Sequence, residues 1–462
     1  MPNLDFTRRQ FLQTSAAFGT ACAAGVLPFR AAAEANAPLT GKRFFTFNSV
    51  IRVNQIEVSR TKNAGFDEAH IHTLQNFRLF REHFRKGCEN GKMTWAFSWL
   101  ALQDKRQNYA DIRKQAAEYH HQYGDEVTFL PGGFFSPMYN SRKQVNADLH
   151  DALAMVSDIV GGGYRPKSVV GGFLAAENLR YLAEEEKIHA AQGNIWSQYA
   201  IDNGDGDGAM CYPYYPSREH FLKPAQGQAD FIDCVNLDGW TCDFLCARRK
   251  GFAEGFNSRL GVGPIESLFH FGTEKGLQEM LAACEVHYGS GFDLNQFAWV
   301  TVCWELALMP KQIGDLTLFL QELYRRYPDL IFETQGEFAL RWRNHFKDND
   351  AVNYRFVQRG SGIGGSDIDK EIRWYMNKMF RLALLQKIND ASSQRVIDFT
   401  RYDVKAEEPR DAMPDAPSRN WSLMNRLNQK QTRPVDKPIL FADLTAEEKQ
   451  LVAKYYPELS GA

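Results

Sequence analysis

The 462-residue chain has no uninterrupted apolar run of about 20 residues, so no segment of it can cross a bilayer as a permanent helix. It also has no Cys-x-x-Cys pair, which removes the usual zinc-binding and thiol-redox motifs. Charge of one sign is missing too. Lys and Arg number 54 against 56 Asp and Glu, a net charge of −2, which argues against nucleic acid or an anionic membrane as partner. No internal repeat or low-complexity tract interrupts the chain. Cysteine is sparse: beyond Cys22 come Cys88, Cys211, Cys234, Cys242, Cys246, Cys284 and Cys303. That odd number leaves at least one thiol free in each monomer. Cys242 and Cys246 are spaced as neighbours on a helix, and Cys303, inside Trp299-Val-Thr-Val-Cys-Trp304, reads as a small buried hydrophobe.

The N-terminus is richer in signal. Thr7-Arg8-Arg9-Gln10-Phe11-Leu12-Gln13, a small-residue run from Ser15 to Leu27 and the site Ala31-Ala32-Ala33 match a twin-arginine export leader cleaved before Glu34. The residue three before Cys22 is Gly19, not the Leu expected ahead of a lipid-anchored cysteine. The expectation is a periplasmic or secreted protein handled by the twin-arginine export machinery. Loss of Asp5, Arg8, Arg9 and Arg30 leaves the mature chain at −4. Aromatic residues make up 13%, with 9 Trp and 18 Tyr, which suits stacking on sugar rings or, equally, a large aromatic core.

From about residue 43, short apolar strands alternate with longer helical stretches. Strands are expected at Arg43–Val50, Met93–Leu100, Val127–Phe135, Ser168–Leu174, Ile188–Gln192, Asp230–Leu237 and Gln296–Cys303. Helices are expected at Asp67–Lys86, Ala110–Tyr123, Val145–Val160 and Ala175–Glu186. This cadence predicts an α/β fold: a parallel, TIM-like β/α barrel of seven or eight strands over residues 40–345. Residues 346–462 read as a C-terminal appendage, with a strand at Asn353–Gln358, a helix at Asp367–Ile388 and a polar wrapping arm or partly disordered tail beyond Asp398.

In such a barrel, chemistry sits where strands end. The strand exits present Asn48, His70, His72, Trp99, Glu177, Asp238, Trp240, Trp304 and Glu305, with Asp202, Asp205 and Asp207 in a long loop. Paired carboxylates beside tryptophans are what glycosidic cleavage needs: one protonates the leaving oxygen and the other acts at the anomeric centre. Plain roles stand beside these. Glu177 is also a first-turn carboxylate favoured by a helix dipole, and Asp238-Gly239 is also a turn former. Glu305 follows an apolar strand, where an unpaired charge is costly. Asn203, Asp205, Asp207 and Gly208 match the first half of a calcium loop, but its twelfth position is Tyr214 instead of Glu. The run holding Tyr212, Tyr214 and Tyr215 suits either a cleft wall or ring packing at a barrel rim. Gly360-Ser-Gly362-Ile-Gly-Gly365 matches a dinucleotide fingerprint in form, but Asp367 and Asp369 would repel a pyrophosphate.

Trp95–Trp99, Gln192–Asp202 (which contains Trp196), Tyr212–Ser217 and Asn236–Thr241 together resemble an exported bacterial family of unknown function. The strand cadence is similar to the glycoside hydrolase/deacetylase β/α-barrel superfamily. That resemblance implies catalytic carboxylates after strands four and seven, here Glu177 with Glu305 or Asp238. Its zinc deacetylases use an Asp pair after strand one and a His-x-x-x-His pair. Here strand one ends in Asn48-Ser49 and no His-x-x-x-His occurs. The leading expectation is therefore a glycoside hydrolase, with Glu177 as nucleophile or base and Asp238 or Glu305 as acid. Asn48, Trp99, Trp196, Tyr212, Tyr214, Tyr215, Trp240 and Trp304 would bind the glycan. Two alternatives stay open. One is metal-assisted hydrolysis or deacetylation with a divalent cation on His70, His72, Asp202, Asp205 and Asp207. The other is a non-catalytic glycan-binding protein.

Overall fold

The computed structural model describes residues 38–57, 60, 63–172, 174–191, 208–239, 245, 264–306, 312–423 and 438–459. The leader, and with it the expected cleavage after Ala33, lies outside them. The strands are β1 (Arg43–Ile51), β2 (Asn54–Glu57), β3 (Asn63–Asp67), β4 (Thr94–Ser98), β5 (Glu126–Leu130), β6 (Ala190–Ala191), β7 (Val235–Asn236), β8 (Ala298–Cys303), β9 (Leu330–Glu333), β10 (Asn353–Arg359), β11 (Lys370–Asn377), β12 (Phe380–Lys387) and β13 (Asp390–Arg401). The longer helices are α1 (Leu74–Gly87), α2 (Gln107–Tyr123), α3 (Arg142–Val160), α4 (Ala176–Glu184), α5 (Pro264–Val286), α6 (Ile313–Arg326), α7 (Gln335–His345) and α8 (Ala446–Tyr455). None of the described helices is long and apolar enough to cross a membrane.

The centre is a parallel sheet in the order β5-β4-β1-β8, with β9 paired to the first half of β1. Beyond β5 the ladder continues through one short segment: Val170 N–H donates to the Phe129 carbonyl at 3.2 Å, and Val169 bridges Ala191 of β6, which pairs in parallel with β7. The α/β class and parallel order match the expectation. The hydrogen-bonded path does not close from β7 to β8 among the described residues, and the described residues of 168–174 contribute a single bridge where a strand was expected.

Alternation along β1 explains why it is central. Phe45 and Phe47 point outward, against Phe319 of α6 and against Phe80 and Phe84 of α1. Thr46 points inward and accepts a hydrogen bond from the Trp299 indole at 3.0 Å. Helix α1 places Phe77, Phe80 and Phe84 on one buried stripe and is capped by Thr73, whose hydroxyl accepts from the Asn76 N–H. It starts seven residues later than expected, because Asn63–Asp67 pairs with Asn54–Glu57 as an antiparallel hairpin at the exit of β1.

The largest correction concerns Asp367–Ile388. This segment is not a helix but two strands of the antiparallel sheet β10-β11-β12-β13. Asn377 turns the chain between them, its side-chain oxygen accepting from the Met379 and Phe380 N–H groups. One face of that sheet, with Ile372, Trp374 and Met376, joins the main core. The other, with Phe380, Leu382, Leu384 and Phe399, packs on Val452 and Tyr456 at α8. The described part of the polar tail is an ordered arm. Glu408 accepts hydrogen bonds from the Ala176 and Phe221 N–H groups and from Arg142, and Ser418 N–H donates to the Met138 carbonyl.

Candidate functional site

The register puts Asn48 of β1 beside Cys303 of β8, and Val50 beside Ala96 of β4, at the C-terminal end of the sheet. The first residue past β1 is Arg52, which is buried. Its Nε and Nη2 donate to the two oxygens of Glu68 at 2.6 and 3.0 Å. Nη2 also donates to Glu305 Oε2, two residues past β8, at 2.7 Å. Glu68 is placed by the hairpin: its N–H donates to the Val53 carbonyl at 2.8 Å, closing the hairpin base. One helical turn later the His72 N–H donates to the Glu68 carbonyl, which brings His72 Nε2 to 3.2 Å from Glu68 Oε2.

Burial and exposure divide this cluster. The side chains of Arg52 and Glu68 are 6% and 9% exposed, whereas that of Glu305 is 25% exposed, so Glu305 is the member a solute can reach. Burial would raise the Glu68 carboxyl, but hydrogen bonds from His72 and Arg52 outweigh it and bring the group down to about 2. Burial would lower Arg52, yet Glu305 and Glu68 together raise it. His72 is fully buried and pushed down by that burial against the pull of Glu68, and its Nδ1 has no partner among the described residues. Glu305 Oε1 accepts no hydrogen bond among the described residues.

Asp238 lies two residues past β7 and is fully buried, with Oδ2 accepting from the Cys211 N–H at 3.0 Å. The Gly239 backbone packs so tightly on β8 that a Cβ there would lie 2.7 Å from Thr301 Cγ2. Trp304 is buried, and its N–H donates to the Asn48 carbonyl at 3.0 Å. Its indole N–H has no partner among the described residues, and neither do the buried hydroxyls of Ser49 and Thr301. Ser49 shares the outward face of β1 with Phe45 and Phe47, and Thr301 lies level with Thr46; at the mouth itself His72 Nδ1 and the Trp304 indole leave the polar groups incompletely paired among the described residues.

The structure thus gathers His72 and Glu305 around Arg52, sets Asn48 and Trp304 against them through the backbone, and puts Asp238 on the adjoining strand exit. Other candidates lie elsewhere. Glu177 is exposed on the first turn of α4, with no hydrogen bond or ion pair to Asp238 or Glu305 among the described residues. Trp99 lies under the Arg60 guanidinium, 3.9 Å from it, and is nearly buried. Tyr212, Tyr214 and Tyr215 are buried, and their hydroxyls donate to the carbonyls of Trp299, Phe221 and Phe346. His70 is exposed. Trp196, Asp202, Asp205, Asp207 and Trp240 fall outside the described residues.

The described residues do not fit a divalent cation. Both oxygens of Glu68 are engaged by a guanidinium, which would repel a metal placed beside His72, and no three metal-ligating side chains converge among the described residues. Sequence reasoning missed Arg52 and Glu68. For Arg52 the available signal was the one that selected Glu305, a charge set directly after an apolar strand; Glu68 follows the polar strand β3 and carries no such signal.

Over residues 37–376 the chain matches the model of a domain of unknown function for which a structure has been solved, DUF3863, and over residues 381–459 that of another, DUF3864. A Parabacteroides distasonis protein, provisionally named a glycoside hydrolase/deacetylase, has a crystal structure that superposes with a TM-score of 0.85 at 48% identity. The match covers 91% of this chain and 99% of that one. A Pseudomonas aeruginosa protein provisionally named a polysaccharide deacetylase (TM-score 0.43, 12% identity, 67% and 95% covered) is far more distant. So is a GH57 branching enzyme from Thermococcus kodakaraensis (0.39, 12%, 64% and 70%). Neither lends its activity to this chain. No curated protein matches. With one family model spanning most of its length and a 48%-identical relative matched over nine tenths of it, the chain belongs to the DUF3863 family and carries a DUF3864 segment after it.

Proposed function

We infer that this protein is a carbohydrate-active hydrolase, a glycoside hydrolase whose reaction centre lies at the C-terminal mouth of the parallel sheet. The observation that carries the reading is Glu305: a partly exposed carboxylate at a strand exit, one oxygen tied to a buried arginine and the other without a hydrogen-bond partner among the described residues. The provisional name of the 48%-identical relative supports the same class. An ion-paired carboxylate suits the role that meets positive charge at the anomeric carbon, which leaves Asp238 to protonate the departing oxygen. Glu68 holds Arg52, His72 holds Glu68, and neither reacts. Asn48, Thr301 and the Trp304 indole present the polar atoms that would order sugar hydroxyls. The sheet with its short 168–170 segment is, in this reading, a barrel with one open seam. The leader sends the folded protein across the cytoplasmic membrane by the twin-arginine route.

The test is turnover by the purified mature chain on a panel of glycans and acetylated glycans, scoring reducing ends and acetate separately. Reducing ends that disappear in Glu305→Gln and Asp238→Asn support glycoside hydrolysis. Acetate release without chain cleavage, or full activity in Glu305→Gln, sinks it.

A further inference from the structure

The C-terminal sheet reaches into the site in a way its place in the chain does not suggest. Arg381, the second residue of β12, is fully buried and paired with the nearly buried Asp398 of β13, Nη2 to Oδ2 at 2.6 Å. A buried ion pair is weak evidence of a stability role, since an apolar pair of similar volume often does as well. This pair extends to another part of the chain. Arg381 Nη1 donates to the Ala209 carbonyl at 2.9 Å and to Cys211 Sγ at 3.2 Å. From the residue just past β13, the Tyr402 hydroxyl donates to the Gly208 carbonyl at 2.9 Å. Gly208, at φ +120°, has no room for a Cβ, which would meet Leu423 of the C-terminal arm at 2.7 Å.

These contacts hold 208–211 in a shape it would not adopt unaided. Cys211 is a buried non-glycine residue at φ +64°, in the left-handed region, which persists only where the surroundings impose it. The result of that conformation is the Cys211 N–H on Asp238 Oδ2 at 3.0 Å. Asp238 is also near the phenols of Tyr214 and Tyr402, both pushed up by burial and, in part, by its charge.

We propose that Arg381, with Tyr402, is a positioning residue for Asp238: the C-terminal sheet clamps loop 208–211 so that its Cys211 amide orients the Asp238 carboxyl for reaction. This rests on the reading of Asp238 as a reacting group. It makes the DUF3864 segment part of the reaction centre.

The test uses the full-length mature protein. Arg381→Met alone leaves Asp398 buried and unpaired and can fail to fold, so it is made together with Asp398→Leu, which removes both charges. The double variant should keep the wild-type thermal midpoint within a few degrees. Its Cys211 should be alkylated faster, and amides 208–211 should exchange faster. On a substrate found as above, kcat should fall about 10- to 100-fold with KM within about twofold, and the basic limb of kcat/KM, where the acid Asp238 loses its proton, should move up in pH as the amide donor is lost. A folded double variant with Cys211 as protected as in wild type overturns the clamp. Wild-type kcat and pH profile in that variant, while Asp238→Asn is inactive, overturns the positioning role and leaves the proposed function standing. Activity surviving in Asp238→Asn defeats the reading of Asp238 itself.

Discussion

The two ends of the central sheet treat their carboxylates in opposite ways. At the N-terminal end, Asp125 accepts from Arg81, from the Trp95 indole and from the Met93 N–H. Glu126 accepts from the N–H groups of Lys167, Ser168 and Gly336 and from the Ser168 hydroxyl, and Glu333 is paired with Arg341. All three are buried. At the C-terminal end, Glu305 Oε1, His72 Nδ1 and the Trp304 indole have no hydrogen-bond partner among the described residues. Saturated polar groups stabilise a fold, whereas incompletely paired ones at a strand-exit mouth suit a ligand.

The comparison breaks most sharply on Glu305. Glu305→Gln is expected to lower kcat by about 10²- to 10⁴-fold, while denaturant unfolding shifts by no more than about 1 kcal/mol, since Arg52 keeps Glu68. A stability loss as large as the activity loss would make Glu305 another structural carboxylate. At the base the order reverses. Arg81→Met strands the fully buried Asp125, and unfolding should become easier by about 3–5 kcal/mol. Any glycan turnover by the surviving folded fraction should stay at wild-type kcat.

Acid sharpens the contrast, because the pKa shifts at the two ends have opposite signs. Burial raises Asp125, Glu126 and Glu333 in the folded state, so these groups favour folding at low pH and that contribution is lost as pH rises through their folded values. Glu68 is lowered from 4.5 to about 2. Its contribution is present above 4.5 and is lost as pH falls toward 2, a change on the order of 3 kcal/mol. Acidification should therefore loosen the mouth before the base. Hydrogen exchange at pH 3 should show amides 68–72 opening ahead of 94–98, and Glu68→Gln should flatten the stability curve between pH 2 and 4.5. An unchanged curve in that variant would remove the mouth from acid sensitivity.

How much of this was legible in the chain depends on how locally each feature is encoded. Strands β1, β4, β5 and β8 were readable because each is a short apolar run bounded by polar turns, and α2 and α3 because their buried residues recur at helical spacing. Residues 367–388 misled because Ile372, Trp374, Met376, Leu382 and Leu384 satisfy both periods in a short window. Tertiary pairing on β10 and β13 decided for strands. Glu305 could be flagged as a charge after an apolar strand. Its pairing could not, since Arg52 is 253 residues away and Glu68 is delivered by a hairpin with little apolar pattern. Tyr212, Tyr214 and Tyr215 looked like a cleft wall because composition cannot distinguish a ring facing sugar from a ring facing core.

One substitution made at two mid-strand positions, one hydroxyl paired and one not, gives the finest version of the comparison. Thr128 in β5 and Thr301 in β8 are both buried, inward-facing and isosteric with valine. Thr128 donates its hydroxyl proton to the Ser168 carbonyl, whereas the Thr301 hydroxyl has no partner among the described residues. Thr128→Val should then cost about 1 kcal/mol of stability by stranding that carbonyl. Thr301→Val should be neutral or stabilising by up to about 1 kcal/mol, since it removes a buried hydroxyl that nothing satisfies. If the Thr301 hydroxyl is kept for a sugar, that gain comes with a KM several-fold higher and kcat little changed. Paired urea melts of the two variants check the stability difference, and steady-state kinetics of Thr301→Val check its purpose. Equal losses at both positions would mean that the Thr301 hydroxyl is held as firmly as that of Thr128, and that it is not kept for a ligand.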